Sequence, residues 1–316
     1  MNARTKIMGL ALVMLSGVLI MSIPATASAE EPTLQSIITQ ISNAENSIQD
    51  LKIEYTCIRK PYGSKDRDLT PDEQAKKERY PGWYKEETGA WQQKGNKVRL
   101  DRTHYRSTSA TKQIEESTVY NGTITKHSES QLGLINSGRW HGLRTWFNPV
   151  LTLSATGDMK LSDELANMDA EFQEGSYTID GVSCKLVKLY KKGNGGKLLR
   201  SFNVYLDPSS NYAPRKIEKY WYNFQCLERV VEVKELTKVG SVYVASKATC
   251  VTYDRPRGSK SSNPISEQEL TVANIDVNQG IADSTFELSF RPGTKIWDDV
   301  VKIKYDIPVL EPEIKP

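Results

Sequence analysis

The stretch Leu227–Tyr253, LERVVEVKELTKVGSVYVASKATCVTY, decides the architecture. Two runs rich in β-branched and aromatic residues, Leu227–Leu236 and Val242–Tyr253, are joined by a short connection, Leu236–Gly240. That is the pattern of two antiparallel strands in a hairpin. The same signal repeats outward on both sides. Upstream, Ser183–Tyr190 and Leu199–Leu206 flank Gly193-Asn194-Gly195-Gly196, and Arg215–Trp221 follows the stop at Asp207-Pro208. Earlier still come Lys97–His104, Gln113–Tyr120 and Thr123–His127, the last two separated by the hairpin turn Asn121-Gly122. Downstream, Glu267–Ile275 completes the set. Short strands at this spacing predict an antiparallel meander, with no βαβ alternation and no 20–50 residue repeat.

The rest of the chain departs from that pattern in recognisable ways. Thr33 to about Asp50 reads as an amphipathic helix, with Leu34, Ile37, Ile38, Ile41, Ala44, Ile48 and Leu51 on one face and Thr33 as N-cap. Ile53, Tyr55 and Cys57 then alternate with Glu54 and Thr56, as a half-buried strand should. Residues 60–82 form a charge-dense insertion in which Thr70-Pro71-Asp72-Glu73 starts a short helix. Ser137–Thr156 is aromatic and apolar without clean alternation, and Ser162-Asp163-Glu164 caps a short helix to about Met168. Pro256–Pro264 is a basic, Ser-rich loop, and residues 306–316 form an extended, proline-bearing tail.

The first residues are an address. Arg4 and Lys6 precede the uncharged run Ile7–Ile23, and Ala27-Ser28-Ala29 follows Pro24. This is the layout of a secretory signal peptide cleaved after Ala29, which leaves one domain over residues 30–305 and no stable membrane span. The alternative is an uncleaved anchor, for which the apolar run is short. The expected location is periplasmic or secreted. Overall 42 Lys+Arg face 39 Asp+Glu, and losing Arg4 and Lys6 leaves 40 against 39. So even a balance argues against a nucleic-acid partner. A hydrophobic fraction of 38% and a charged fraction of 26% exclude disorder, collagen, coiled coil and a polytopic membrane protein.

Export changes how Cys57, Cys184, Cys226 and Cys250 read, because disulfides are permitted outside the cytosol. Four cysteines allow three connectivities. Cys226 and Cys250 are equidistant from Lys238, so a hairpin turning there would place them within disulfide reach. The alternative is four buried free thiols.

Catalytic apparatus is not legible. His104, His127 and His141 stand in no metal-binding spacing, no G-x-S-x-G occurs, and no cofactor is implied. The glycines at 193–196 lack the Lys-Ser/Thr of a phosphate loop. Glu86-Glu87, Glu115-Glu116 and Asp298-Asp299 are adjacent pairs, which point to opposite faces of a strand.

Several strings, in order, resemble one family. Val119-Tyr120-Asn121-Gly122-Thr123 resembles its strand-turn hairpin, and the Thr178–Leu186 run, TIDGVSCKL, resembles its "i-x-G-v-x-c-x-x-l" strand. Val204–Pro208 with Tyr212–Glu218 resembles "v-x-L-D-p…y-x-P-r-x-i-e". Ile281–Phe286 with Pro292-Gly293-Thr294 resembles "i-x-d-s-x-F…P-x-G-t". The family is the LolA/LolB/RseB-like group of periplasmic lipoprotein carriers and relatives, and the resemblance spans about residues 33–300. It implies a mainly β (α+β) fold: a single curved antiparallel sheet forming an incomplete barrel, covered by an N-terminal amphipathic helix and short lid helices.

The resemblance also implies a non-enzymatic binding protein whose concave face shelters an apolar ligand, a lipoprotein acyl chain or another lipid. By residue type, the candidate lining is Ile37 and Ile41 on the helix, Trp140, Trp146, Phe147, Leu151 and Leu153 on the irregular segment, and Trp221. The alternative is an RseB-like sensing module that docks an envelope protein partner through residues 60–82. An envelope hydrolase is a third reading. A pocket with a His beside a Ser or carboxylate would raise it, and an apolar, His-free pocket would lower it.

Overall fold

The computed structural model describes residues 31–62, 85–105, 113–138, 160–193, 196–221, 225–255 and 263–309. Among them are two α-helices, α1 (Leu34–Asn46) and α2 (Leu161–Asn167). The first meander comprises β1 (Asp50–Pro61), β2 (Lys85–Lys94), β3 (Lys97–Tyr105), β4 (Gln113–Tyr120), β5 (Ile124–Glu129) and β6 (Leu132–Ser137). The second comprises β7 (Asp169–Ile179), β8 (Val182–Lys192), β9 (Leu198–Asp207), β10 (Ala213–Tyr220), β11 (Leu227–Val239), β12 (Val242–Tyr253) and β13 (Pro264–Val277). A short hairpin, β14 (Lys295–Asp298) and β15 (Ile303–Asp306), ends the fold.

All the strands belong to one 15-stranded sheet, in the order β15-β14-β6-β5-β4-β3-β2-β1-β13-β12-β11-β10-β9-β8-β7. The two meanders join where β1 pairs antiparallel with β13, from Leu51 opposite Val277 to Pro61 opposite Ser266. The sheet does not close, since β15 and β7 are its free ends. It is also curved: one apolar cluster takes inward residues from β1–β3 and from β8–β13 (Ile53, Trp91, Leu100, Val187, Val204, Val231 and Leu270 among them). A flat sheet of this width could not bring those strands to one cluster.

Helix α1 belongs to that cluster. Thr33 accepts a hydrogen bond from Ser36 N at 3.2 Å, the N-cap that the sequence predicts. Ile37 and Ile41 are buried among the strand residues. The helix stops at Asn46, short of Asp50, because Asp50 has another task. Its carboxylate accepts hydrogen bonds from Gln279 N (2.9 Å) and Gly280 N (3.0 Å), while Asn278 Oδ1 accepts from Gln49 N (2.7 Å). Helix α2 begins two residues earlier than a Ser162 cap would place it, with Lys160 at the N-cap position. Its first N–H groups turn to the buried Glu45 of α1, with Leu161 N donating at 2.8 Å and Ser162 Oγ donating to the same carboxylate.

Strands β4 and β12 coincide with the expected runs. Strands β2, β6, β7, β14 and β15 are not among the runs that the sequence predicts. Gly133 interrupts β6, Gly175 sits in a bulge of β7, and β14 and β15 have four residues each. After Asn278 the chain crosses the sheet on the face opposite α1. Arg99 and Val119 lie on that face, alternating with the inward Val98, Leu100 and Thr118. Phe286 and Leu288 pack on Val119. Basic side chains tie this strap to successive strands: Lys94 Nζ donates to Ile281 O (2.8 Å), Arg99 Nη1 to Thr285 O (3.0 Å) and Lys126 Nζ to Leu288 O (3.2 Å). The strap delivers β14 to the edge of β6, where it pairs in parallel.

The Cys226–Cys250 disulfide that the sequence allows is absent, and no disulfide joins any of the four cysteines. The β11–β12 hairpin turns at Gly240-Ser241, not at Lys238, because Gly240 supplies the positive φ of 62° that the turn requires. Two irregularities at Val233–Leu236 cancel, so the register set by that turn puts Cys250 opposite Val231, and Cys226 precedes the strand.

Candidate functional site

The strand registers align a row of polar side chains across the inner face, beyond the part that α1 covers. Trp91, Gly89 and Glu87 of β2 lie opposite Leu100, Arg102 and His104 of β3. Arg102 in turn lies opposite Glu116 of β4, and Thr118 lies opposite His127 of β5. Period-two alternation therefore carries Arg102, Glu116, Thr118 and His127 inward together. Arg102 forks onto Glu116, with Nε to Oε2 at 2.9 Å and Nη2 to Oε1 at 2.8 Å, and its Nη1 lies 3.8 Å from Glu87. The Tyr55 hydroxyl donates to Glu87 at 2.7 Å. Gly89 makes that possible, since a Cβ there would lie 2.7 Å from the Tyr55 ring.

His127 Nδ1 is 2.9 Å from Thr118 Oγ1 and 3.5 Å from Glu116 Oε1. Burial lowers its pKa from the ordinary 6.5, and the nearby Glu116 only partly opposes this. The Tyr55 hydroxyl is held well above its usual range, by burial first and by Glu87 second. Burial works against the charge of Arg102, yet Glu116 and Glu87 more than offset it.

This arrangement answers one expectation. The adjacent acidic pairs do separate, with Glu116 buried and the Glu115 side chain exposed. Sequence reasoning missed that Glu87 and Glu116, from different pairs, meet around Arg102. Once the Asn121-Gly122 hairpin sets the β4–β5 register, the inward alternation of Glu116 and Thr118 against His127 and Glu129 is the signal that could have found the site. Among the described residues no group of three or more His, Cys, Asp or Glu is placed to hold a metal ion. Nor is this a nucleophile–base–acid relay. Thr118 and Glu116 both approach the same ring nitrogen, and Thr118 is fully buried. A relay needs an accessible nucleophile, which the buried Thr118 does not supply.

Next to this cluster lies an open groove of about 710 Å³. Its floor consists of inward residues of β5, β6, β14 and β15: His127 and Glu129, then Leu132 and Leu134, then Trp297, then Lys304. Lys304 Nζ sits 4.2 Å from the Trp297 ring centroid, so the far side of the apolar strip is capped by a cation–π contact. Under α1, by contrast, the space lined by Ile41, Ala44, Leu161, Tyr212 and Val242 is about 30 Å³, room for a single water.

Of the residues singled out from sequence, Ile37 and Ile41 thus sit in the filled part of the interior. Trp221 is half-buried at the end of β10, and its backbone N–H donates to Cys226 O at 2.8 Å. Trp140, Trp146, Phe147, Leu151 and Leu153 lie outside the described residues, as do residues 1–30, most of the 60–82 insertion and residues 256–262.

With this geometry in hand, the chain can be set beside known proteins. No family model and no curated protein matches its sequence. A DUF1329 family protein from Desulfovibrio piger aligns over 80% of this chain and 97% of its own, with a TM-score of 0.51 and 12% identity. A LolA superfamily protein from Nitrosomonas europaea aligns over 81% and 98%, with a TM-score of 0.47 and 11% identity. MucB, in complex with MucA(peri), aligns over 78% and 100%, with a TM-score of 0.25 and 8% identity. The first of these likenesses shows a shared fold. A LolA superfamily protein and the RseB-like MucB, from the group that the sequence strings resemble, stand among the structural neighbours. Among the described residues no helix is long and apolar enough to cross a membrane.

Proposed function

We propose that the chain is an exported, non-enzymatic binding protein that shelters an apolar group, a lipoprotein acyl chain or another lipid, in the groove floored by Leu132, Leu134 and Trp297. The observation that carries this reading is the division of the inner face. Among the described residues the space lined by Ile41, Leu161, Tyr212 and Val242 holds about one water, whereas beyond β4 an apolar strip stays open at a volume typical of ligand sites. In this reading the sheet is a half-barrel, α1 is a fixed roof rather than a moving lid, and the groove is where the cup stays open. Each CH₂ moved from water onto the strip contributes about 0.8 kcal/mol, so a handful of methylenes suffices for retention. The Arg102–Glu116–His127 cluster closes one end of the strip with polar groups that bond one another.

A specific observation bears on the hydrolase reading, since a His does stand beside a carboxylate at the groove. The burial of Thr118, the hydroxyl that approaches that His, counts against it. The signal-peptide layout supports export.

Protein purified from its own host should release lipid into organic solvent, detectable by mass spectrometry. Added fatty acid should change the emission of Trp297, and Leu134→Glu should abolish uptake without changing the circular dichroism. A clean extract together with no uptake of fatty acid or lipopeptide sinks the proposal.

A further inference from the structure

The two free edges of the sheet are defended differently. Edge strand β7 carries a bulge between Gln173 and Tyr177 and exposed acids, the usual guards against strand addition. Edge strand β15 has neither bulge nor proline; its guards are its shortness and the opposite charges of Lys304 and Asp306, and all four of its residues are exposed. Around it, six of the eleven exposed large apolar side chains of the described residues crowd into residues 297–309: Trp297, Val300, Val301, Ile303, Tyr305 and Val309. We propose that β15 pairs antiparallel with β15 of a second copy of this chain, joining two sheets about a two-fold axis.

The register follows from hydrogen-bond geometry. Ile307 N donates to Thr294 O at 2.9 Å and Gly293 N to Ile307 O at 2.8 Å. Odd-numbered residues of this strand therefore turn their backbone groups toward β14, and Lys304 and Asp306 turn theirs outward. Only three registers join outward groups to outward groups. Two of them place Lys304 opposite Lys304, or Asp306 opposite Asp306. The third sets Lys304 opposite Asp306 of the second copy, twice, with Tyr305 on the axis in the closely spaced, non-hydrogen-bonded pair. Charge complementarity thus selects one self-pairing among the three. Lys304 and Asp306 lie on the groove's side of the sheet, so the two grooves would adjoin across the axis.

Sedimentation velocity of the chain from Glu30 should show a concentration-dependent dimer. Lys304→Asp and Asp306→Lys should each weaken association about 10-fold or more, because two unlike pairs become two like ones. An equimolar mixture of the two single variants should restore the dimer, as should the double exchange K304D/D306K, since both recreate unlike pairs. Tyr305→Cys should cross-link two copies under oxidising conditions, and Ile303→Cys should not. A monomer at every concentration overturns the proposal. So does a dimer indifferent to the single exchanges, or one that the mixture fails to restore. A monomer that dimerises only after residues 310–316 are removed assigns the edge to the chain's own tail, and overturns it as well.

Discussion

Arg102 grips Glu116 through two hydrogen bonds, 2.9 and 2.8 Å long, on the inner face of the sheet, where the glutamate side chain keeps only 5% of its exposure. Removing one partner strands a buried charge, which is costlier than removing both. Arg102→Ala should lower the unfolding free energy by about 3–5 kcal/mol, measured by urea denaturation. The double change Arg102→Met with Glu116→Leu should recover most of that loss. Equal losses in the single and double variants would mean that the pair is not the unit holding these strands.

His127 gives the same region a pH dependence. Its pKa is depressed below 6.5 in the folded chain, so the unfolded chain binds the proton more readily. The stability that this contributes is complete above pH 6.5 and is lost as pH falls through the lowered value. The gap between the melting temperatures of wild type and His127→Gln should stay constant above pH 6.5 and shrink as pH falls below it. Parallel curves across that range would remove His127 as the cause.

A second charged contact should act in a lower window. Asp207 is fully buried; burial raises its pKa, but hydrogen bonds from Ser209, Arg215 and Ser210 prevail and hold it below the usual 3.8. Both Nε and Nη2 of Arg215 reach Asp207 Oδ2, at 2.9 and 2.8 Å, and Ser209 N donates to Oδ1 at 2.9 Å. Its stabilisation is present above pH 3.8 and disappears as pH drops through the depressed value. Asp207→Ala should cost about 3–5 kcal/mol at neutral pH and much less in acid, because it strands Arg215 and uncaps the turn at Pro208–Ser210. An acid-independent deficit would contradict this account.

Phe286 anchors the strap that carries β14 to its edge. Phe286→Ala should cost about 3–5 kcal/mol. In hydrogen exchange, protection should fall first at β14 and β15, with β1–β3 less affected, because those two strands reach the sheet only through the strap. Uniform loss across all strands would show that the strap is not a separable unit.

The cysteines should be silent. Burial pushes the thiols of Cys184 and Cys250 up to about 11, so neither is a thiolate at neutral pH. Reducing agent should leave the melting temperature unchanged, and alkylation of native protein should spare both. A downward shift on reduction would restore the disulfide that the spacing of Cys226 and Cys250 first suggested.

Elements that depend on local order could be read from the amino acids alone. Alternation gave β4 and β12 their limits, Thr33 placed the start of α1, and Asn121-Gly122 placed a turn, because periodicity and turn chemistry are properties of neighbouring residues. The alignment of distant strands emerges only in the folded chain. The β1–β13 junction, the parallel docking of β14 on β6 and the meeting of Arg102, Glu116 and His127 depend on register between segments far apart in the chain. A one-residue slip reverses every side chain it touches. The groove follows from the same cause, since its floor draws on residues 127–134 and 297–306, which come together only after the strap has crossed the sheet.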